Sequence, residues 1–288
     1  MKVTVAKSAG FCFGVRRAVN LVYEETEKSR CVYTMGPIIH NEYVVNDLSE
    51  KGVQILGDDL ICKETGVKPV PGSTVVVRSH GISRQMQEQL TAAGYRLVDA
   101  TCPFVQKIHE IVSEKSEKGY PIIIIGDPDH PEVQGIRGWA NGFCAVIRTK
   151  EDARSLAIDR DRTLCIVSQT TFNFQKFQEL VEIVKSLGYH VVVTNTICSA
   201  TRERQREAME LAAASDIMIV IGGRHSSNTQ KLYDICSRQC VNTVFVSSPD
   251  DLRGFRPKAD DRVGITAGAS TPNTLIQEVS QHVRRAEL

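Results

Sequence analysis

The sequence has no excess of either charge, no long apolar segment and no Cys-x-x-Cys pair. Its 35 basic and 34 acidic residues leave a net charge of +1, so charge alone predicts neither a nucleic acid nor an anionic membrane as partner. The longest apolar runs, such as 217–221, are too short to cross a bilayer. The missing Cys-x-x-Cys argues against zinc ribbons, thioredoxin-type redox pairs and the compact ferredoxin pattern. Walker A and Gly-x-Gly-x-x-Gly sequences are also absent, which excludes the familiar nucleotide sites.

The sequence does contain nine cysteines in 288 residues, 42% of which are hydrophobic. This composition is that of a folded chain with a sizeable core. The cysteine count is odd, and the N-terminal MKVTVAKSAGFCFG has no apolar stretch of the signal-peptide type. We therefore expect a cytoplasmic protein with free thiols rather than a secreted disulfide framework.

Three of the cysteines mark a repeat. Cys12, Cys102 and Cys198 lie 90 and 96 residues apart. Each follows a strand-like run (3–5, 96–98 and 191–193) and precedes a segment with helical periodicity (16–25, 104–113 and 202–211). Each thiol is thus predicted at a strand-to-helix corner, where the helix N-terminus favours the thiolate.

The other six cysteines are predicted to be ordinary residues. Cys31, Cys144 and Cys165 lie in or beside apolar segments and are expected in the core. Cys236 and Cys240 are one helical turn apart; they are better explained as packed thiols than as half of a metal site. The surroundings of Cys62 are uninformative.

The repeat also includes polar residues that follow apolar runs. Gly36, Gly126 and Gly222 lie 24 residues after the three cysteines. Two further sets lie 28 and 68 residues after them: His40, His130 and Ser226, and then His80, Thr170 and Thr266. We therefore predict three similar small α/β domains around a pseudo-threefold axis, at 13–101, 102–197 and 198–288. The strand within 1–12 is expected to complete the third sheet, so that both termini share a domain.

This arrangement predicts chemistry at the carboxyl ends of the strands, where open α/β sheets bind ligands. Three thiolates are one ligand short of a closed four-cysteine site. They favour an iron–sulfur cluster with one free iron, while zinc and three buried thiols stay open as alternatives. Nearby polar side chains can donate hydrogen bonds to an oxygen anion such as phosphate: His40, His80, Ser226, Ser227, Asn228 and Ser270.

The segment His130-Pro131-Glu132 suggests a proton relay. Proline favours extended geometry in the residue before it, so His130 and Glu132 are expected to face one pocket together with Thr170. A carboxyl group beside a hydroxyl can transfer protons, although a loop cap or surface ion pair would also explain Glu132. Arg202, Arg204 and Arg206 are mixed with glutamates and predict a solvated helix face. The single tryptophan, Trp139, is expected in the core.

The sequence resembles the 4-hydroxy-3-methylbut-2-enyl diphosphate reductase (LytB/IspH) family. The resemblance rests on the cysteine settings GFCFGVRRAV, DATCPFVQK and TICSATRERQ, and on GPIIHN, RSHG, HPEV, SQTT, SSNT and TAGAST. It runs from residue 9 to about residue 276. It implies a trefoil of three α/β domains around a [4Fe–4S] cluster that Cys12, Cys102 and Cys198 hold, with the fourth iron open.

The resemblance also implies a reaction. Two electrons and protons remove the hydroxyl group of the substrate as water, giving isopentenyl and dimethylallyl diphosphate in the non-mevalonate pathway. Glu132 would transfer protons with help from Thr170 and His130, which also contact substrate. Substrate diphosphate would be held by the residues already named: His40, His80, Ser226, Ser227, Asn228 and Ser270. Flavodoxin or ferredoxin would donate electrons.

Two other classes of protein use similar thiols. A cluster-based redox sensor or electron carrier also needs three cysteines, but it needs neither Glu132 and Thr170 nor donors for a diphosphate. A zinc hydrolase would be colourless, unlike a brown iron–sulfur protein. One departure from the family pattern is Arg224-His225, where Lys-Asn is common; we expect it to tune diphosphate affinity and leave the reaction unchanged.

Overall fold

The computed structural model of the chain describes residues 1–29 and 31–285. These residues form three parallel four-stranded sheets with helices. Sheet I has the order β3-β2-β4-β5 and consists of β2 (Val32–Met35), β3 (Gln54–Leu56), β4 (Thr74–Val77) and β5 (Arg96–Asp99). Sheet II has the order β7-β6-β8-β9 and consists of β6 (Ile122–Ile125), β7 (Cys144–Ile147), β8 (Leu164–Ser168) and β9 (Val191–Val193).

Sheet III has the equivalent order, β11-β10-β12-β1, and takes its last strand from the N-terminus. It consists of β1 (Lys2–Val5), β10 (Ile217–Ile221), β11 (Thr243–Val246) and β12 (Arg262–Ala267). Lys2 lies opposite Arg262 and Val5 opposite Ile265 in a parallel ladder. The three sheets therefore repeat one topology, which confirms the predicted fold class of three similar α/β sheets.

Ten helices connect the strands of the described chain: α1 (Phe13–Lys28), α2 (Glu42–Glu50), α3 (Arg84–Ala92), α4 (Pro103–Glu117), α5 (Pro131–Arg137), α6 (Lys150–Arg154), α7 (Phe174–Ser186), α8 (Ser199–Ala213), α9 (Ser227–Gln239) and α10 (Asn273–Arg285). No helix in the described part of the chain is long and apolar enough to span a membrane.

The chain folds as two compact units. The first unit comprises 1–16, 40–45 and 199–285 and contains sheet III. The second unit comprises 17–39 and 46–198 and contains sheets I and II, with residue 30 outside the described part. The predicted domain boundaries at 13–101, 102–197 and 198–288 remain a prediction.

Burial on both faces explains why the central strands are so apolar. The four isoleucines of β6 are fully buried, because helices cover both sides of a parallel sheet. On one side, Ile123 and Ile125 pack with residues of α7; on the other, Ile122 and Ile124 pack with Ile108 and Val112 of α4. Polar turns follow the carboxyl ends of these buried strands, and the candidate site is built from those turns.

The six other cysteines follow the prediction with one exception. Cys165, Cys236 and Cys240 are buried and Cys144 is half-buried, whereas Cys31 is exposed. Cys31 lies just outside β2, so the apolar residues that follow it are buried and the thiol is not. The prediction of a core position for Cys31 is therefore wrong.

Deletion of residues 1–6 should destabilise sheet III selectively. The deletion removes the ladder on one side of β12, including the bond from Ala6 N to Ile265 O, and removes Val3 and Val5 from the core. We expect amide hydrogen exchange in β12 to accelerate at least about tenfold. The amides of β8 in the second unit are the internal control, and equal acceleration in both strands would contradict a local role for β1.

Candidate active site

The three repeat cysteines each lie at the beginning of a helix. Cys12 directly precedes α1, Cys198 directly precedes α8, and Cys102 is the N-cap residue of α4 with Pro103 in the first helical position. All three are free thiols and half-buried. Because the positive end of a helix dipole stabilises a thiolate, all three positions suit a metal-binding sulfur.

A backbone hydrogen bond holds each of these cysteines against a turn at the carboxyl end of a sheet. Cys12 N donates to Ala269 O (3.2 Å), Cys102 N to Ser79 O (3.0 Å) and Cys198 N to Thr170 O (3.1 Å). Each acceptor lies two residues beyond the end of a strand, β12, β4 and β8 respectively. The same contact thus recurs in all three sheets and joins each cysteine to a polar turn.

Other thiols of the chain are less suited to metal binding. Burial raises the pKa of Cys144 to about 11 and of Cys236 to about 12, and it also raises the pKa of Cys165. These thiols keep their protons at neutral pH and pack in the core, as free cysteines commonly do. Among the nine cysteines, Cys12, Cys102 and Cys198 share a position at a helix N-terminus beside a polar turn, and they stay the predicted donor set.

In the first unit, two serines and a backbone carbonyl meet at the N-terminus of α9. Ser226 is the N-cap residue, and its Oγ accepts a hydrogen bond from Thr229 N (3.3 Å). Ser270 Oγ lies 3.3 Å from Ser226 Oγ and also 3.3 Å from His40 O. Gly223 permits this approach, since a Cβ there would lie 2.7 Å from His40 O. The helix N-terminus and the hydroxyl groups form a site suited to an oxygen anion.

Asn228 offers a buried donor that an oxygen anion at this site could use. Its side chain is 6% exposed, and no described residue accepts a hydrogen bond from its Nδ2. A buried amide without a partner costs free energy, so a function other than stability must retain it. Asn228 lies in the first turn of α9, where the helix dipole also favours an anion.

For two cations of the first unit, the structure adds to or corrects the sequence analysis: Lys231 was overlooked and Arg204 was wrongly placed. Lys231 Nζ donates to Ser227 Oγ (2.7 Å) from one turn further along α9; the i, i+4 spacing could have indicated this contact. Arg204 does not lie on a solvated face, contrary to the prediction: it is 3% exposed and donates from Nη1 to Ala267 O (2.6 Å). Arg202 and Arg206 are exposed as predicted.

The unusual pair Arg224-His225 is exposed. Arg224 Nη2 lies 3.3 Å from Asp251 Oδ1, and its guanidinium lies 5.8 Å from the ring centroid of Phe245. The arginine is therefore occupied by contacts at the surface, which accords with an indirect role at most.

In the second unit, a buried carboxylate meets a threonine. Glu132 is 2% exposed; its Oε1 accepts from Thr170 N (2.6 Å) and its Oε2 from Thr170 Oγ1 (2.8 Å). Thr170 is itself 7% exposed and accepts the amide of Cys198 at its carbonyl. The carboxylate is thus held at two points by a residue whose carbonyl accepts the amide of a candidate metal ligand, Cys198. This burial excludes a surface ion pair, which was one of the two alternative explanations for Glu132.

The local geometry around Glu132 differs from the prediction. His130 and Glu132 do not share one face of an extended segment: His130 is the N-cap residue of α5 and Pro131 begins the helix. His130 Nδ1 accepts the amide hydrogen of Glu132 (3.1 Å), and proline in the first helical position favours this start. The His80 ring lies against the His130 ring, with centroids 5.3 Å apart and planes at 84°.

The constant 68-residue offset does not hold in the third repeat. His80 and Thr170 follow the ends of β4 and β8, but Thr266 lies within β12 and is fully buried. Ser270, three residues beyond β12, occupies the position that His80 occupies beyond β4. The connection from β10 to β11 is three residues longer than those from β2 to β3 and from β6 to β7, and β12 is longer than β4 and β8, so a fixed spacing misplaces the turn by a few residues.

Comparison with known proteins agrees with this arrangement. The model of the family described as LytB protein matches residues 3–284. This chain belongs to the LytB family. A LytB relative, the 4-hydroxy-3-methylbut-2-enyl diphosphate reductase of Caldanaerobacter subterraneus subsp. tengcongensis, is 43% identical over 286 residues, which are 99% of this chain and 97% of that protein. The enzyme of the same name from Geobacter metallireducens is 40% identical over 287 residues, with 100% and 98% covered.

Solved structures of LytB-like reductases resemble the chain over its whole length. One, of (E)-4-hydroxy-3-methyl-but-2-enyl diphosphate reductase, the terminal enzyme of the non-mevalonate pathway, has a TM-score of 0.69 and 38% identity, covering 99% of this chain and 100% of that one. The E-1-hydroxy-2-methyl-but-2-enyl-4-diphosphate reductase of Plasmodium falciparum has a TM-score of 0.89 and 28% identity, covering 99% and 87%.

Substitutions in the first turn of α9 should separate stability from anion binding. Ser226→Ala removes a helix cap and should lower the free energy of unfolding by about 1 kcal/mol. Asn228→Leu removes a buried amide without a partner, a group that costs about 1–3 kcal/mol, so the stability should stay constant or rise. Both variants should bind inorganic diphosphate more weakly in calorimetry.

Thr149→Ala is the matched control, because it removes the N-cap of α6 in the second unit. It should cost a similar amount of stability and leave diphosphate binding unchanged. Loss of stability in Asn228→Leu together with normal diphosphate binding would show that Asn228 serves only the fold.

Proposed function

We infer that this chain is a 4-hydroxy-3-methylbut-2-enyl diphosphate reductase. It converts (E)-4-hydroxy-3-methylbut-2-enyl diphosphate, two electrons and two protons into isopentenyl or dimethylallyl diphosphate and one water. The observation that carries this function is the buried pair of Glu132 and Thr170 beside Cys198. An electron carrier or a redox sensor has no use for a buried carboxylate held ready for proton transfer.

We further propose that Cys12, Cys102 and Cys198 hold one [4Fe–4S] cluster and leave one iron without a protein ligand. The support is the donor set itself: three free, half-buried thiols, each at a helix N-terminus and each tied by its amide to a polar turn. When bound, such a cluster supplies electrons and Lewis acidity for removal of a hydroxyl group. Flavodoxin or ferredoxin is the proposed source of the electrons.

The proposed diphosphate ligands combine neutral donors with helix ends. Ser226, Ser227 and Asn228 lie at the start of α9, and Ser270 adds a hydroxyl group from the turn after β12. His40 and His80 complete the proposed set. Lys231, which contacts Ser227, contributes a positive charge one turn away. These groups bind the part of the substrate that does not react, and they orient the part that does.

Glu132, Thr170 and His130 are proposed to deliver the proton. The Thr170 hydroxyl donates to Glu132 Oε2, so its oxygen can accept a hydrogen bond from the substrate hydroxyl group. When Glu132 is protonated, these hydrogen bonds reverse: Glu132 donates to Thr170 Oγ1, and the Thr170 hydroxyl donates its own proton to the departing oxygen, which leaves as water. His130 fixes the first turn of α5 by accepting the Glu132 amide, which keeps the carboxylate in place.

Glu132→Gln should nearly abolish turnover. Loss of a proton-transfer group typically costs about 10²–10⁴ in rate, whereas the cysteines and the substrate ligands are unchanged. Anaerobically purified variant should keep the brown colour and iron content of the wild type, while kcat falls by that factor. Glu110→Gln, on the exposed side of α4, is the control and should have normal turnover. Normal turnover in Glu132→Gln would refute the proton-transfer role.

Cys102→Ser should lose most of the bound iron, because a serine at this helix N-terminus is a poor cluster ligand. Cys62→Ser changes a buried thiol outside the proposed site and should keep its iron. Iron and sulfide analysis together with the visible absorption spectrum measure both. Equal iron content in the two variants would overturn the ligand assignment.

A further inference from the structure

A buried histidine and the single tryptophan lie next to the proposed site without belonging to it. His109 is on α4, two turns after Cys102, and it is 6% exposed. Its ring stacks on Trp139, with centroids 5.1 Å apart and planes at 15°. Trp139 Nε1 donates to Ile82 O (2.9 Å), two residues after His80. Trp139 is thus a half-buried residue with a defined partner rather than simple core.

The His109 ring supports the turn that carries His80. Gly81 has a φ of +73°, and a Cβ on it would lie 2.6 Å from His109 Cε1. The turn therefore rests directly on the imidazole, and the close approach requires glycine. Burial lowers the pKa of His109 to about 4, so the ring is neutral at physiological pH and acts as a flat packing surface.

Helix α5 also packs against this turn. A Cβ on Gly135 would lie 3.5 Å from the carbonyl carbon of Gly81 and 3.6 Å from His80 O. Gly138, the C-cap residue of α5, has much less space than Gly135: a Cβ there would lie 2.2 Å from Ser83 Cβ. Glu132 lies on this helix one turn before Gly135, so the helix that carries the carboxylate touches the turn that carries His80.

We propose that His109 and Trp139 are positioning residues that hold His80 at a fixed place relative to Glu132. The turn 80–83 contacts both the His109–Trp139 stack and the two glycines at the end of α5. Neither positioning residue need touch the substrate. The inference rests on the proposed function, since it assigns to His80 the role of holding the diphosphate.

Substitution of His109 should weaken diphosphate binding without loss of the cluster. His109→Ala leaves Cys102 at its helix N-terminus, so the iron content stays normal. It leaves the turn unsupported, so the segment 78–83 exchanges its amide hydrogens faster and His80 meets the diphosphate less well. Because the diphosphate is bound equally before and during the reaction, KM should rise about tenfold while kcat changes much less. His109→Phe keeps a flat ring on Trp139 and should restore both values.

A double substitution tests the contact itself. Gly81→Ala should weaken diphosphate binding strongly, because the new methyl group overlaps the His109 ring and the backbone φ is unfavourable. In Gly81→Ala combined with His109→Ala, the overlap with the ring is gone, while the unfavourable φ and the tight contact with Thr101 Cγ2 (3.1 Å) remain. The combined loss should therefore be smaller than the product of the two single losses. Losses that multiply would mean that the ring does not support the turn.

The experiment uses anaerobically purified, cluster-loaded protein. Hydrogen exchange of 78–83 measures the turn, calorimetry with inorganic diphosphate measures binding, and steady-state kinetics separate KM from kcat. His190→Ala, an exposed histidine of the same unit, is the control. Trp139→Leu is the second variant; it removes the stack and the bond to Ile82 O and should reproduce the defect even if His109→Ala does not fold.

His80→Ala separates this inference from the proposed function. If His80→Ala binds diphosphate normally, the proposed role of His80 is wrong, while hydrogen exchange still reports whether the stack holds the turn. If His80→Ala binds weakly but His109→Ala and Trp139→Leu both match the wild type in exchange and KM, the positioning proposal is overturned.

Discussion

The hydrogen bond from each repeat cysteine to the turn of a neighbouring strand organises the whole arrangement. It occurs three times, at Cys12, Cys102 and Cys198, and each time the acceptor lies two residues beyond a strand end. A cysteine in such a place has its backbone satisfied, its sulfur at a helix N-terminus and a polar turn beside it. The fold therefore places a cysteine in the same backbone environment in each sheet, and that environment suits the proposed role as a metal ligand.

The polar turns differ from one sheet to the next, so that each sheet offers side chains suited to a different task. Sheet III presents hydroxyl and amide donors at Ser226, Asn228 and Ser270, which suit a diphosphate. Sheet II presents Glu132 and Thr170, which suit proton transfer. The repeated scaffold explains why three cysteines are equivalent in position, and the substituted turns explain how an otherwise symmetric repeat can bind an asymmetric substrate.

Much of this could be predicted, and the failures have physical causes. The pattern of apolar residues in the sequence predicted the positions of strands and helices. Parallel strands that are buried on both faces, for example, appear as continuous apolar runs such as Ile122–Ile125. His130 is extended, as expected for a residue before proline, but the expected extended segment shared with Glu132 was wrong, because Pro131 begins a helix. Arg204 was misjudged because the alternation of charges within 202–206 hides that one of the arginines faces inward.

The sequence by itself determined the repeat, the three cysteines at helix starts and the residue types at each strand end, because periodicity and spacing are local properties. Only the tertiary structure decided which atoms meet. The two hydrogen bonds from Thr170 to Glu132 join residues 38 positions apart, and the stack of His109 on Trp139 joins a helix to a loop 30 residues away. Such contacts depend on how loops of unequal length close, and no spacing rule in the chain encodes that.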